Sequence, residues 1–194
     1  IELAVGYSDT FNKVKVSTNF TYTINENEIV SLANGAINQN TGEVIHMDYY
    51  SKGTLGISGG PTLRLYEGGT MGDIYINQRL RQSPNGYIWR DPADGTVAIE
   101  NTEYRKIGSV LPKYHLGWNG NVAWNGLSLG FAFTARVGGL VVSDTQAMLD
   151  NYGVSETSAI ARQNGGVWIG DSQVDAEDYY KKVSTAIGTY YTYS

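Results

Sequence analysis

An all-β chain of long antiparallel strands is the fold class this sequence predicts, and three observations predict it. Four segments alternate apolar and polar residues with a period of two, the signature of strands with two unlike faces. An Asn-Gly pair at 125–126 stands between two of these segments, the strongest short hairpin signal a sequence carries. The composition holds 24 Gly and 15 Tyr but only 4 Pro in 194 residues, a β-type usage without the Ala/Leu/Glu/Lys bias of helical proteins.

The first strand is expected near 1–7, where Ile1, Leu3, Val5 and Tyr7 form one row opposite Glu2, Ala4, Gly6 and Ser8. "SDTF" then reads as a short turn. The second strand, near 12–24, puts Val14, Val16, Thr18, Phe20, Tyr22 and Ile24 on one face and Lys13, Lys15, Ser17, Asn19, Thr21 and Thr23 on the other. The third and fourth, near 113–124 and 127–136, fold back on each other at Asn125-Gly126. That turn sets Trp124 opposite Leu127, Val122 opposite Leu129, Gly120 opposite Phe131, Trp118 opposite Phe133 and Leu116 opposite Ala135. Cross-strand partners share a face, so both arms present their apolar residues to one side. The other side collects His115, Gly117, Asn119, Asn121, Ser128, Gly130 and Thr134. A slip of one residue turns every side chain to the wrong face.

Two long excursions, 25–112 and 137–194, separate and follow the two strand pairs. Tight turns alternating with long excursions are the habit of outer-membrane barrels, whose periplasmic turns are short and extracellular loops long. Strands of ten or more residues, apolar along one face, also suit a tilted bilayer crossing. A soluble sheet over a core shows the same alternation, but structureless loops beyond about 15 residues are uncommon in compact domains. The expected architecture is therefore an antiparallel segment of a large transmembrane β-barrel, with long extracellular loops carrying short helices. Within the excursions, 61–80 alternates weakly and suggests a hairpin turning at Gly68-Gly69. Residues 143–153 read as a helix capped by Ser143 and ended by Gly153, and 174–188 as another, acidic early and with Lys181 and Lys182 late.

The absence of cysteine removes disulfides, thiol chemistry and Cys-ligated zinc, and suits an oxidising envelope compartment. A net charge of −5 without a basic stripe argues against nucleic-acid binding. No apolar run is long enough for a membrane-spanning helix, which says nothing of barrel strands. "RDPADG" supplies Asp91 and Asp94, weak candidates for a metal, but Pro92 and the spacing spoil a calcium loop and a plain Asp/Gly turn is the simpler account. His46 and His115 are the only histidines and lie too far apart for a ligand signature. "GISGGP" and "YEGGTMG" lack the strand–helix context of a phosphate loop, and no GxSxG elbow occurs. No catalysis and no cofactor are expected. Tyr66, Tyr87 and Trp89 in the first excursion are candidates to stack on sugar faces or pack against a lid protein. Tyr7, Tyr22, Tyr114, Trp118 and Trp124 are strand aromatics suited to barrel girdles.

The ordered run "FTYTINENEIVSL", "RDPADGTV", "YRKIGSVLPKYHLGWNGNVAWNGLSLGFAFTARVGGLVV" and "VDAEDYY" resembles the late barrel region of SusC/RagA-type TonB-dependent outer-membrane transporters. The resemblance covers nearly the whole chain and lies in the order and spacing of these segments. It implies a nutrient importer in the outer membrane of a Gram-negative bacterium, taking up a glycan or peptide with TonB energy under a SusD-like surface lipoprotein. About 22 strands close such a barrel, so residues 1–194 are expected to be a partial barrel domain excised from a longer protein, with TonB and the lipoprotein met through other parts. Lys13, Lys15, Asn19, His115, Asn119, Asn121, Thr134 and Arg136 would line the lumen, and His115, Asn119 and Arg136 join the three excursion aromatics as candidate substrate-binding residues. Val14, Val16, Phe20, Leu116, Val122, Leu129, Phe131 and Phe133 would face lipid. The alternative is a soluble secreted β-sandwich that binds carbohydrate, its apolar faces packed together.

Overall fold

Trp124 pairs with Leu127 across the Asn125-Gly126 turn, and the ladder runs without a slip through Val122–Leu129, Gly120–Phe131, Trp118–Phe133 and Leu116–Ala135 to Tyr114–Val137. This is the register the alternation predicts. Asn125 and Gly126 stand at φ 48° and 88°, the left-handed pair that a two-residue I′ turn requires and that most side chains resist.

The computed structural model describes all 194 residues. Its long and medium strands are β1 (Glu2–Phe11), β2 (Val14–Thr23), β3 (Tyr50–Thr54), β4 (Thr62–Leu65), β5 (Asp73–Leu80), β6 (Ile99–Ser109), β7 (Tyr114–Trp124) and β8 (Leu127–Val137). After them come β9 (Val141–Val142), α1 (Asp144–Asn151), α2 (Glu156–Gln163), β10 (Val167–Ile169) and β11 (Ser172–Val174). The chain closes with α3 (Ala176–Val183), α4 (Ile187–Tyr190) and β12 (Thr192–Tyr193). Every strand pair is antiparallel. The chain is thus mostly antiparallel β with a few short helices, and it divides into two compact units.

The first unit, Ile1–Asn27 with Leu111–Gly139, is a four-stranded sheet in the order β1-β2-β7-β8. Its first strand is longer than expected. Ser8–Phe11 continues β1, and the turn falls at Asn12-Lys13, with Asn12 at φ 56°. Lys13 therefore sits in the turn and not on the polar row. Four strands leave β1 and β8 as open edges, so the sheet is not closed into a barrel.

The second unit, Glu28–Val110 with Leu140–Ser194, corrects the expectation of two separate loops. The first excursion contains the meander β3-β4-β5-β6, and the second brings its helices to the same core. The 61–80 hairpin exists as β4–β5, with Gly68 and Gly69 in its connection. Its core gathers Leu80 and Val97 with Ala147, Val174, Val183, Ile187 and Tyr191. Ser143 caps α1 by accepting from the Gln146 N–H, and Asp175 caps α3 by accepting from the Asp178 N–H. Neither α2, capped by Ser155, nor α4 is among the expected helices. Gly188 approaches Pro61 so closely that an added Cβ would lie 2.8 Å from its nitrogen and 2.8 Å from Ile76 Cγ2, which is why no side chain stands there.

Asp73 opens β5 with a carboxylate only 1 % exposed. It accepts from the Thr70 N–H (3.0 Å), the Thr70 hydroxyl (2.7 Å) and the Lys106 ammonium (2.5 Å). Burial pushes this carboxyl up, but the Lys106 and Thr70 donors together outweigh it and hold it below the ordinary range. A carboxylate depressed in the folded state stabilises fully above its unfolded pKa, near 4, and loses that contribution as pH falls through the folded value. The melting temperature of the second unit is expected to fall below about pH 4, and Asp73→Asn to flatten that acid limb. Equal acid slopes for wild type and variant would contradict the assignment.

Candidate functional site

The first unit sorts most of its residues between two faces, with Asp9 a charged exception on the apolar one, opposite Val16 and accepting from the Tyr7 hydroxyl at 2.9 Å. On one, each rung of the sheet carries apolar groups: Phe11, Val14, Trp124 and Leu127 at the turn end, then Val16, Val122 and Leu129, then Val5, Phe20, Trp118 and Phe133. Nothing covers them. Leu129 is 72 % exposed, Phe133 62 % and Trp118 49 %, an apolar surface that a protein in water would be expected to bury.

Two polar groups on that face are satisfied within it. The Trp118 indole N–H donates to Thr18 Oγ1 at 2.8 Å, and the Thr18 hydroxyl donates to the Asn119 carbonyl at 3.2 Å. Trp118 also packs edge-on against Phe131 (4.9 Å between ring centroids) and stacks with Phe133 (6.0 Å). Aromatic rings stand at both ends of the sheet: Phe11 and Trp124 at the tight turns, and Tyr22 and Tyr114, 5.6 Å apart, at the other. Trp124 and Tyr114 are ten residues apart along β7, about 33 Å of strand.

Gly120 is the one gap in the apolar row of β7, and Phe131 fills it. A Cβ on Gly120 would lie 2.6 Å from Phe131 Cζ and 3.1 Å from the Ser17 carbonyl oxygen. Gly120→Ala is therefore expected to lift the ring and cost about 1–3 kcal/mol, read as a lower denaturant midpoint. An unchanged midpoint would show that the ring does not rest there.

The opposite face carries small and polar residues in register. Ser17, Asn121 and Gly130 share one rung, and Asn19, Asn119 and Ala132 the next. Thr21, Gly117 and Thr134 follow, and Thr23, His115 and Arg136 occupy the rung at the excursion end. Of the six candidate binding residues, the structure thus brings His115 and Arg136 together as direct cross-strand neighbours and sets Asn119 on the same face. These side chains offer amide, imidazole and guanidinium groups, able to hydrogen-bond hydroxyls, carbonyls and carboxylates.

The three excursion aromatics lie in the second unit, in separate surroundings. Tyr66 joins a ring cluster with Tyr49 (5.5 Å) and Tyr75 (5.1 Å). Trp89 lies under the Arg81 guanidinium at 4.2 Å. Tyr87 is exposed at the end of a turn closed by the Ser83 N–H to its carbonyl. Asp91 and Asp94 cap their own loop, accepting from the Ala93 and Thr96 N–H groups at 2.9 Å. Its bonds to Thr96 draw the Asp94 carboxyl below its ordinary value. No group of three or more His, Asp or Glu side chains is arranged to hold a metal ion.

Sequence reasoning missed Arg64, whose guanidinium lies over both Tyr49 and Tyr104. The i, i+2 spacing of Arg64 and Tyr66 was the available signal. No protein-family model matches this chain, and no curated protein matches it.

Proposed function

We propose that this chain is a wall segment of an outer-membrane β-barrel importer of the SusC/RagA type, working without catalysis in the uptake of an oligomeric nutrient, glycan or peptide. The observation that carries this reading is the uncovered apolar face of the first unit, with Leu129 72 % exposed, set against a polar face in unbroken register. Lipid is the medium that accepts such a face without a second protein layer. The polar face then lines the lumen, where Asn19, Asn119, Asn121, His115 and Arg136 meet the passing solute.

Connectivity supports the same orientation. Both tight turns, Asn12-Lys13 and Asn125-Gly126, lie at one end of the sheet, and the chain leaves for the second unit from the other. In an outer-membrane barrel the tight turns are periplasmic and the large excursions extracellular. The second unit is then an extracellular elaboration, and a SusD-like lipoprotein and TonB are the partners of the whole importer. The soluble carbohydrate-binding sandwich requires a second layer over Leu127, Leu129 and Phe133, all of them exposed.

Fractionation of the native cells tests the proposal. The protein is expected with the outer membrane, released by detergent, and its gel mobility is expected to shift on heating. Recovery as a detergent-free soluble monomer would move the assignment to the secreted sandwich.

A further inference from the structure

Arg64 stands on β4 with its guanidinium carbon 3.1 Å from the ring centre of Tyr104 and 4.3 Å from that of Tyr49. The flat cation is held between two aromatic faces, and the cluster continues from Tyr49 to Tyr66 and Tyr75. All of these residues belong to the second unit.

Two features distinguish this stack from rings that only bind a loop to itself. Arg64 has no anion. None of the three ion pairs includes it, and Asp73, the buried carboxylate of the neighbouring strand, is taken by Lys106. Its Nε is buried without a hydrogen-bond acceptor, so the guanidinium carries an unmet charged donor. The stack is also accessible. Tyr49, which also packs against Tyr66, is 40 % exposed and Tyr104 38 %.

The chemistry that fits is a carboxylate beside an apolar ring face. A guanidinium pairs with carboxylates in a planar, bidentate fork, and tyrosines offer a broad face together with a hydroxyl. A uronic-acid unit presents both on one small ring. An acidic peptide is ordinarily held by a cluster of cations, whereas the stack itself holds one, Arg64. From this arrangement we infer that the Tyr49–Arg64–Tyr104 stack binds an oligosaccharide bearing carboxylate groups. The inference names the ligand chemistry of the proposed importer and rests on that reading only for its use in uptake.

Calorimetric titration of the intact protein in detergent tests it, with a galacturonic-acid trisaccharide, a neutral galactose trisaccharide and tetraglutamate as probes. The acidic sugar is expected to bind at least about tenfold tighter than either of the others. Arg64→Gln and Tyr104→Ala are each expected to weaken it by about tenfold or more, with the melting temperature serving as the folding control. Should Arg64→Gln not fold, Arg64→Lys keeps the charge, loses the fork and is expected to weaken binding by a smaller factor. Equal affinity for the neutral sugar, undiminished binding by a folded Arg64 variant, tighter binding of tetraglutamate, or no binding at all would overturn the inference. Loss of sugar binding with the sheet still lipid-embedded removes this site and leaves the barrel; sugar binding by a water-soluble protein does the reverse.

Discussion

In the proposed barrel, Phe131→Arg is expected to cost about 2–4 kcal/mol, the price of an arginine on the lipid face near the bilayer midplane. Phe131 is the fifth of the eleven residues of β8, on the rung of Gly120 and Thr18. Its ring contacts Trp118 at 4.9 Å and Phe133 at 5.6 Å and lies over the bare backbone of Gly120. The substitution removes those contacts and forces a charge to reach the interface. Thr134→Arg lies three residues further on but on the other face, sharing a rung with Gly117 and Thr21. In the proposed barrel this face lines a lumen already carrying Arg136, so Thr134→Arg is expected to cost little folded protein and to change solute selectivity instead. Refolding yield into lipid vesicles, scored by heat-modifiable gel mobility, separates the two. Greater damage from Thr134→Arg would mean that the faces are reversed or that the sheet covers a soluble core.

Asp150→Ala is expected to be the most damaging single change to the second unit, by about 3 kcal/mol. Asp150 is buried in α1 and accepts from the Tyr191 hydroxyl at 2.7 Å, the Gln146 side-chain amide at 3.0 Å and the Thr157 hydroxyl at 3.4 Å. These bonds join α1 to α2 and to the segment after α4. Tyr191 is itself buried, so removing the carboxylate leaves its hydroxyl without a partner in the core. Burial and then the Asp150 carboxylate push the Tyr191 phenol well above its ordinary value, so it remains the donor throughout the working pH range. Tyr191→Phe, which removes the donor but keeps the ring, is expected to cost less, about 1–2 kcal/mol. Thermal melts followed by circular dichroism compare them, and equal or reversed losses would contradict the role given to the carboxylate.

The first unit was legible because its information is local. A period of two and one Asn-Gly pair fix which residues of β7 and β8 face each other. The β1–β2 turn was misplaced for an equally local reason. Ser8-Asp9-Thr10 has turn-like composition, whereas Asn12-Lys13, the actual turn, lacks the glycine that marks Asn125-Gly126.

The second unit was largely illegible. β5 and β6 pair with register shifts at Ile74/Tyr75 and Ile76/Gln78, which break the alternation that would reveal them. In α2 the buried positions are Ser158 and Ala161, too small and too polar for an apolar stripe to show. The Arg64 stack gathers residues 49, 64, 66, 75 and 104 from three strands and the connections beside them, a convergence that pairing across the sheet creates and that no short window contains.

The chain has no cysteine, so single cysteines introduced along β7 and β8 report each face without interference. A fluorophore placed in turn at positions 116, 118, 129 and 133, and at 117, 119, 130 and 134, is to be measured in proteoliposomes with a quencher dissolved in the lipid tails and another confined to water. The account predicts that the first set is quenched from lipid and the second from water, alternating residue by residue. Water quenching of both sets, or lipid quenching of the second, would contradict it.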